Sequence, residues 1–175
     1  MKLDLVPAAD HPELLAGPVA AAVTSEMRVA PIDATLADTA AFCAAYEVPL
    51  EISANCVIVA GRRGDVTRYA ACMVLATTRL DVNSVVRGLL DARKASFAPM
   101  DDAVALTGME YGGITPVGIP DDWALYVDSR IPSLPEVIIG AGIRGAKILL
   151  PGSALAALPG AQVIEGLAKE LDAQS

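Results

Sequence analysis

The order of apolar and polar positions predicts helices and strands that are mixed along the chain. Apolar residues repeat at helical spacing in several stretches, each beginning at or beside a capping residue or a proline. These predicted helices lie at residues 13–24, 35–48, 81–90 and 99–106. Runs rich in β-branched residues predict strands at 56–60, 69–77, 94–97, 124–128, 136–140 and 147–150. A helix from Ser153 to Leu158 and a last strand and helix from Gln162 complete the prediction.

The arrangement of these elements indicates the fold class. The first two strands are joined by the turn-rich sequence Gly-Arg-Arg-Gly-Asp at 61–65, which predicts an antiparallel hairpin. No regular strand–helix–strand alternation follows, so we expect an α+β fold with a curved, mixed, largely antiparallel β-sheet and helices packed on it. The helix at 35–48 opens with Thr35-x-x-Asp38, which resembles a capping box. Residues 1–30 contain three prolines and are interpreted as an N-terminal arm ahead of a main domain at 31–175.

Composition limits the class of protein. Of the 175 residues, 54% are hydrophobic and 19% are charged, which is enough apolar material for one buried core and argues against disorder. The apolar run at 69–76 is far shorter than the ~20 residues of a membrane helix, and the N-terminus lacks a signal pattern. We therefore expect a soluble, cytoplasmic protein that has no membrane partner. Three cysteines without Cys-x-x-Cys spacing suit reduced, buried thiols, and neither a metal site nor a cofactor is expected.

The net charge of −8 is unevenly distributed. Residues 52–100 carry seven basic and three acidic side chains, whereas 1–51 carry two basic and eight acidic, and 101–175 carry four basic and ten acidic. A local basic region suits a small phosphate contact, such as one RNA end, and does not suit bulk DNA. Solvated faces of strands and helices are the alternative explanation.

The segment from Thr107 to Pro120 contains four glycines and two prolines among β-branched residues. Glycine allows a ligand to approach the main chain, and proline fixes φ while it removes a donor. The pattern is typical either of a bent strand between two turns or of a segment whose main chain contacts a ligand.

Three motifs, in the same order along the chain, resemble one known family. Residues 112–118 read Gly-Gly-Ile-Thr-Pro-Val-Gly, which resembles the Gly-Gly-Ile-Ser-Pro-Leu-Gly signature of the YbaK/EbsC family of aminoacyl-tRNA deacylase domains. Residues 92–98 stand where that family has a basic pair and a short strand, and 140–145 resemble its Gly-rich turn, so the resemblance spans 33–165. It implies the prolyl-tRNA synthetase-associated domain fold and a freestanding trans-editing hydrolase that deacylates mischarged aminoacyl-tRNA. The implied partner is the tRNA acceptor end with its attached amino acid, and a homodimer is one assembly to consider.

The resemblance also implies which residues form the site. The main chain that lines the aminoacyl pocket would belong to Gly112, Gly113, Ile114 and Pro116. The implied substrate-binding residues are Lys94, Thr107, Gly108, Gly140, Gly142 and Arg144. Where the family opens its first central strand with Lys, this chain has Asn55, an amide that carries no charge. The candidates to replace the missing ammonium are Arg62, Arg63 and Lys94.

The absent Lys leaves a second function open, namely a catalytically weak or inactive homologue that binds an aminoacyl or nucleotide ligand.

Other residues that could carry chemistry give weaker signals. The single histidine lies in the N-terminal arm, and Cys56 is either a nucleophile or a small buried hydrophobic residue. The turn Gly140-x-Gly142, followed by Arg144 and Lys147, is either a contact for the acceptor end or a tight hairpin turn.

Overall fold

The computed structural model describes residues 1–171, and within them the chain forms eleven strands and five short α-helices, besides four 3-10 turns and one π-helical turn. The strands are β1 (Val6–Pro7), β2 (Arg28–Pro31), β3 (Ala54–Arg63), β4 (Val66–Leu75), β5 (Thr78–Leu80), β6 (Lys94–Phe97), β7 (Ala124–Asp128), β8 (Val137–Gly140), β9 (Ala146–Leu150), β10 (Ala161–Ile164) and β11 (Ala168–Glu170). The helices are α1 (Gly17–Ala20), α2 (Thr39–Tyr46), α3 (Arg87–Leu89), α4 (Met100–Thr107) and α5 (Gly152–Ala156). Within the described range, no helix has the length and apolar character needed to cross a membrane.

Most strands belong to two sheets. The larger sheet has the order β10-β7-β4-β3-β6, in which β10, β7 and β4 are parallel, β3 is antiparallel to β4, and β6 is antiparallel to β3. The smaller sheet has the order β1-β2-β9-β8 and is antiparallel throughout. β5 and β11 form a separate antiparallel pair. Mixed, largely antiparallel sheets with packed helices confirm the predicted α+β class.

The predicted hairpin is the longest pairing in the fold. β3 and β4 contribute ten residues each, from Ala54 opposite Leu75 to Arg63 opposite Val66. Gly64, in the two-residue turn, has a φ of 60°, a left-handed conformation that glycine adopts without steric cost. Both strands run further toward the turn than predicted, because their exposed ends keep the pairing register of the buried residues.

One edge of β3 is divided between two neighbours. β4 covers the opposite edge over the whole strand. On the divided edge, residues 59–62 pair with β6, while Ser53, immediately before β3, bridges to Ile138 of β8. Residues 54–57 lie between these two contacts, where the larger and smaller sheets separate. This gap positions the candidate site.

Small aliphatic side chains fill the space between the sheets. The main core joins fully buried residues of both, among them Met73, Val127 and Ile148. The N-terminal segment contributes Val19 and Val29 to the same core, so the residues predicted as an arm pack together with the main domain. Two smaller clusters lie on the other faces, one beneath the 82–90 region and one between α2 and the smaller sheet.

Several predicted helices are wrong in length. The helix expected at 13–24 is divided into a 3-10 turn at Pro12–Leu14 and the four-residue α1, because Pro18 lacks a backbone N–H and is accepted only in the first turn of a helix. The helix expected from Thr35 begins at Thr39, because Asp38 accepts hydrogen bonds from the backbone of residues 40 and 41 and acts as the N-cap. Asp81 caps its helix as predicted, but the segment opens with a π-helical turn, and α3 adds three residues.

The predicted C-terminal helix is also wrong within the described residues. The strand expected from Gln162 is present as β10, yet the next element is the strand β11. The backbone N–H of Ala168 donates to the buried carboxylate of Asp128 at 3.0 Å, and this bond holds β11 against the sheet. The remainder of the predicted helix, at 172–175, lies outside the described residues.

Candidate functional site

A cavity of about 240 Å³ opens at the gap on the β3 edge. Residues from four separate segments line it: Ala37, Asp38, Thr39, Ala54, Asn55, Cys56, Tyr111, Gly112, Ile114, Gly140 and Lys147. Four of the predicted site residues are therefore brought together, namely Asn55, Gly112, Ile114 and Gly140. The cavity joins the start of the central hairpin to the glycine-rich segment and to the β8–β9 hairpin.

Asn55 is held at the cavity by a neighbouring hydroxyl. The Oγ1 of Thr39, the first residue of α2, donates to Oδ1 of Asn55 at 2.7 Å. This bond occupies the amide oxygen and leaves the two N–H donors of Nδ2 for another partner. Asn55 is half-buried, so its amide presents donors but no charge to the cavity.

Lys147 is the ammonium group that reaches the cavity. It lies on β9, and its Nζ donates to the carbonyl of Ala37 at 3.4 Å and sits 5.0 Å from the centroid of the Phe42 ring. Burial lowers the pKa of Lys147 below its ordinary value. No carboxylate among residues 1–171 forms an ion pair with this ammonium; the nearest cavity carboxylate, Asp38, is occupied with the helix cap.

The glycine-rich segment divides into a cavity wall and a buried anchor. Gly112 and Ile114 line the cavity, whereas Thr115, Pro116 and Val117 are buried beneath it. Main-chain bonds fasten the wall to the β8–β9 loop. The N–H of Gly142 donates to the Gly113 carbonyl at 2.7 Å, and the N–H of Glu110 donates to the Gly142 carbonyl at 2.9 Å. The bent-segment and ligand-contact interpretations of this motif are thus compatible, because one part is structural and the other faces the cavity.

Close main-chain approach explains two glycines of the wall. A Cβ on Gly140 would lie 2.6 Å from the Gly113 carbonyl oxygen and 2.9 Å from that of Ile114. A Cβ on Gly113 would lie 2.5 Å from the carbonyl carbon of Ile143. These contacts are with backbone atoms, which cannot rotate away, so the two segments pack this closely only with glycine at both positions.

The remaining predicted residues of this region support the fold and do not line the cavity. The hydroxyl of Thr107 donates to the Ala103 carbonyl at 2.6 Å, and Gly108 ends α4 with a φ of 69°. Gly142 packs against the N-terminal segment, where its Cβ position approaches the side chain of Ala16. The Arg144 guanidinium donates to the carbonyls of residues 34 and 111, which ties the wall to the loop before α2.

Lys94 lies far from the cavity. It pairs with Arg62 near the turn end of β3, and Arg62 lies seven positions after Asn55, a distance of ~23 Å at ~3.3 Å per residue. Arg63 is still further along the strand and is bonded to Asp91 at 3.0 Å. The three predicted substitutes for the missing ammonium therefore lie at the wrong end of the strand. Lys147, predicted with Arg144 as one alternative contact for the acceptor end and not as a substitute for the missing Lys, is instead the ammonium that lines the cavity.

Cys56 lines the cavity but is not activated as a nucleophile. Part of its side chain is accessible, yet the apolar surroundings raise the pKa of its thiol to about 12. Since the thiolate is the nucleophilic form, the thiol stays unreactive at neutral pH. The cavity therefore offers a carboxylate, an amide, a hydroxyl and an ammonium, with no histidine among the residues that line it.

Solved structures share this architecture. A candidate trans-editing enzyme for prolyl-tRNA synthetase matches with a TM-score of 0.71 and 22% identity, over 95% of this chain and 99% of that one. A hypothetical protein matches with a TM-score of 0.72 and 24% identity, over 82% of this chain and 91% of that one. At these identities the likeness establishes the fold alone.

Comparison of the sequence with known proteins identifies the family to which the chain belongs. The proline–tRNA ligase of Lactobacillus gasseri is 36% identical over 72 residues, which make up 39% of this chain and 12% of the ligase, so the chain spans a small part of that enzyme's length. The aminoacyl-tRNA editing domain model matches residues 33–158, a range that includes every residue lining the cavity. This match confirms the relationship predicted from the glycine-rich motifs. The chain belongs to the aminoacyl-tRNA editing domain family.

Proposed function

We propose that the protein is a trans-editing hydrolase that cleaves the ester bond of mischarged aminoacyl-tRNA in the cavity beside β3. The observation that carries this proposal is the meeting of Asn55, the Gly112–Ile114 wall and the Lys147 ammonium in one cavity within the family-matched range. The expected partner is a tRNA acceptor end, whose charge and functional groups suit this set of residues. An enzyme acting on tRNA would work in the cytoplasm.

The charged groups of the cavity complement those of an aminoacylated terminal adenosine. Such an end carries an α-ammonium group on the amino acid and a phosphate on the nucleotide. Asp38 caps α2 through Oδ1 alone, so its Oδ2 can accept from the ammonium, and Lys147 provides an ammonium for the phosphate. Partial burial strengthens the attraction of Lys147 for an anion, because less water screens it. In this arrangement Lys147 replaces the Lys that the family has at the position of Asn55.

The reaction adds water across the ester. The water oxygen attacks the carbonyl carbon, and the bond from that carbon to the ribose oxygen breaks. One proton of the water passes to the ribose oxygen, and the other is released as the carboxylate of the free amino acid forms. Negative charge collects on the carbonyl oxygen in the transition state, where fixed donors lower its energy. The Nδ2 group of Asn55, oriented by Thr39, is the donor we assign to this role. The family resemblance implies that a ribose hydroxyl of the substrate helps to position the water, which suits a cavity without a general base such as histidine.

The test is hydrolysis of a panel of correctly charged and mischarged aminoacyl-tRNAs, measured with and without the protein. We expect at least one mischarged species to be hydrolysed above its spontaneous rate, and Asn55→Ala to lower that rate. Asn55→Asp serves as a matched variant, because it keeps the size of the side chain and removes the N–H donors. If every member of the panel decays at its spontaneous rate, the hydrolase proposal is wrong.

A binding module without catalysis is the second candidate, and the uncharged Asn55 is the observation that favours it. Asn55→Lys separates the two. Deacylation that appears in this variant from a silent parent supports the binding module. Loss of an existing activity supports the hydrolase, because a second ammonium beside Lys147 would then disturb a site adapted to an amide.

A further inference from the structure

The cavity and strand β6 share one edge of β3. Residues 54–56 open onto the cavity, and residues 59–62 pair with β6 on that same edge. Because the pairing is antiparallel, Phe97 lies opposite Val59, nearest the cavity, and Lys94 lies opposite Arg62, furthest from it. A chain that leaves the cavity along this edge meets β6 directly, and four strand residues give it a track of ~13 Å.

Phe97 is an exposed aromatic ring at the cavity end of β6. Its relative exposure is 65%, the largest among the exposed large hydrophobic side chains of the described residues. The ring forms one wall of an open groove of about 760 Å³, whose other walls carry Arg79, Asn83 and Lys169. Two acids also line the groove, of which Asp81 is bonded to Lys169 at 3.5 Å and Glu170 is exposed. An unburied aromatic ring beside basic and amide groups suits a stacked nucleobase.

Positive charge lies at the other end of β6. Lys94 and Arg62 face each other across the strands, and the N–H of Arg93 donates to the Arg62 carbonyl at 2.8 Å. Throughout residues 1–171, no carboxylate forms an ion pair with any of these three side chains. The neighbouring Arg63 differs, because Asp91 neutralises it. The other nearby acid is Asp65, in the hairpin turn.

We propose that β6, together with Arg62 and Arg93, is the surface that binds the single-stranded RNA leading into the cavity. We call this surface the β6 strip. Phe97 stacks on an unpaired base next to the terminal nucleotide. Side chains alternate along a strand, so Lys94 and its partner Arg62 lie on the opposite face of the sheet from Phe97, and with Arg93 they contact the phosphates that follow from across the free edge of β6. This proposal rests on the proposed function for the identity of the RNA. It accounts for how a chain with a net charge of −8 attracts a polyanion, because three cations without an ion pair among residues 1–171 lie together on this strip.

The experiment measures binding of uncharged tRNA by fluorescence anisotropy over a series of salt concentrations. We expect Arg62→Ala/Lys94→Ala to weaken binding and to lower the slope of log affinity against log salt by about 1.5, the value for two lost phosphate contacts. Phe97→Ala is expected to weaken binding at least about fivefold with little change in slope, and Phe97→Trp is expected to restore it. The matched control is Lys2→Ala/Arg28→Ala, which removes the same charge from the N-terminal segment and should leave the affinity for tRNA unchanged.

Three results would overturn the proposal. One is a wild-type protein that shows no salt-dependent binding of tRNA. Another is equal affinity and slope for the wild type and Arg62→Ala/Lys94→Ala. The third is a change in oligomeric state, without a change in tRNA affinity, which would show that the free edge of β6 pairs with a second copy of the chain. None of these readouts requires hydrolysis, so failure of the enzyme proposal and failure of the β6 strip are distinguished.

Discussion

Along one edge of strand β3, the first and second halves of the strand have different neighbours. The first half opens onto the cavity and presents Asn55 and Cys56, which are uncharged at neutral pH. The second half pairs with β6 and ends in Arg62 and Arg63. The strand therefore carries its positive charge away from the cavity, and the fold brings Lys147 to the cavity from the other sheet.

The cations near the two halves of β3 also lie in different surroundings. Lys147 is sheltered beneath α2, and burial lowers its pKa, whereas Arg62 and Lys94 are exposed to water. A sheltered charge acts strongly over a short range, while exposed charges attract a polyanion over a longer range and are screened by salt. Under the proposed function, this difference is a division of work, with one cation at the site of hydrolysis and several along the path of the RNA toward it.

The largest effect is expected from adding one methyl group to the wall of the cavity that borders the first half of β3. Gly140→Ala would place a Cβ 2.6 Å from the Gly113 carbonyl oxygen. Since that oxygen belongs to the main chain, the wall must move, at a cost of about 3 kcal/mol in the free energy of unfolding. Urea denaturation measures this loss of stability, and the rate of aminoacyl-tRNA deacylation should fall with it. The matched control is Gly88→Ala, where the added Cβ meets no atom within 4 Å and helix propensity favours Ala by up to about 1 kcal/mol. Equal destabilisation of the two variants would contradict the contact argument.

The next effect concerns the sheltered cation. Lys147→Met keeps most of the side-chain volume and removes the ammonium, so kcat/KM for aminoacyl-tRNA should fall at least about tenfold, the value of a hydrogen bond to a charged group. The free energy of unfolding should stay unchanged or rise, because a partly buried charge is removed. Lys2→Met, in the N-terminal segment, is the control and should keep full activity. Undiminished kcat/KM in Lys147→Met would show that the cavity does not need this cation.

Features of the fold and the site could be predicted from the sequence where they depend on residues close together in the chain, and could not where they depend on residues far apart. The hairpin and strands β6 to β9 were recognisable, because each is a β-branched run or a pair of such runs separated by a turn. The glycine-rich wall was recognisable as a motif. The position of Lys94 was not, because a four-residue strand shows neither its direction nor its register, and antiparallel pairing put Lys94 at the far end.

The role of Lys147 depends on packing between the two sheets. Its distance from Asn55 follows from how the β8–β9 hairpin sits beneath α2, a contact between residues that lie far apart in sequence. No local pattern near residue 147 encodes that distance. Likewise β11 has three residues, too few for alternation to be recognised, and a carboxylate 40 residues away helps to hold it.

A smaller effect is expected in the pH dependence of activity, which tests whether the buried Lys147 ammonium is needed. Burial lowers the pKa of Lys147, so the folded protein releases this proton below the ordinary lysine value of about 10.4. Between the two pKa values the unfolded chain binds more protons than the folded one, and stability therefore rises with pH in that window. Activity should fall with pH over the same range, because the ammonium is lost. After spontaneous ester hydrolysis is subtracted, the wild type should show an alkaline decline in kcat/KM that Lys147→Met lacks.

The smallest effect is expected in the paired half of β3. Arg63 donates from Nε to the Asp91 carbonyl at 2.7 Å and from Nη2 to its carboxylate at 3.0 Å, with both side chains largely exposed. Exposed pairs of this kind contribute about 1 kcal/mol or less, so Arg63→Ala should lower the free energy of unfolding by no more than that. Hydrolysis should be unaffected, since the neutralised Arg63 belongs neither to the cavity nor to the β6 strip. A double-mutant cycle with Asp91→Ala measures the pair itself. If Arg63→Ala reduced kcat/KM as far as Lys147→Met, the position of a cation along β3 would not decide its role, and the distinction between the two halves would fail.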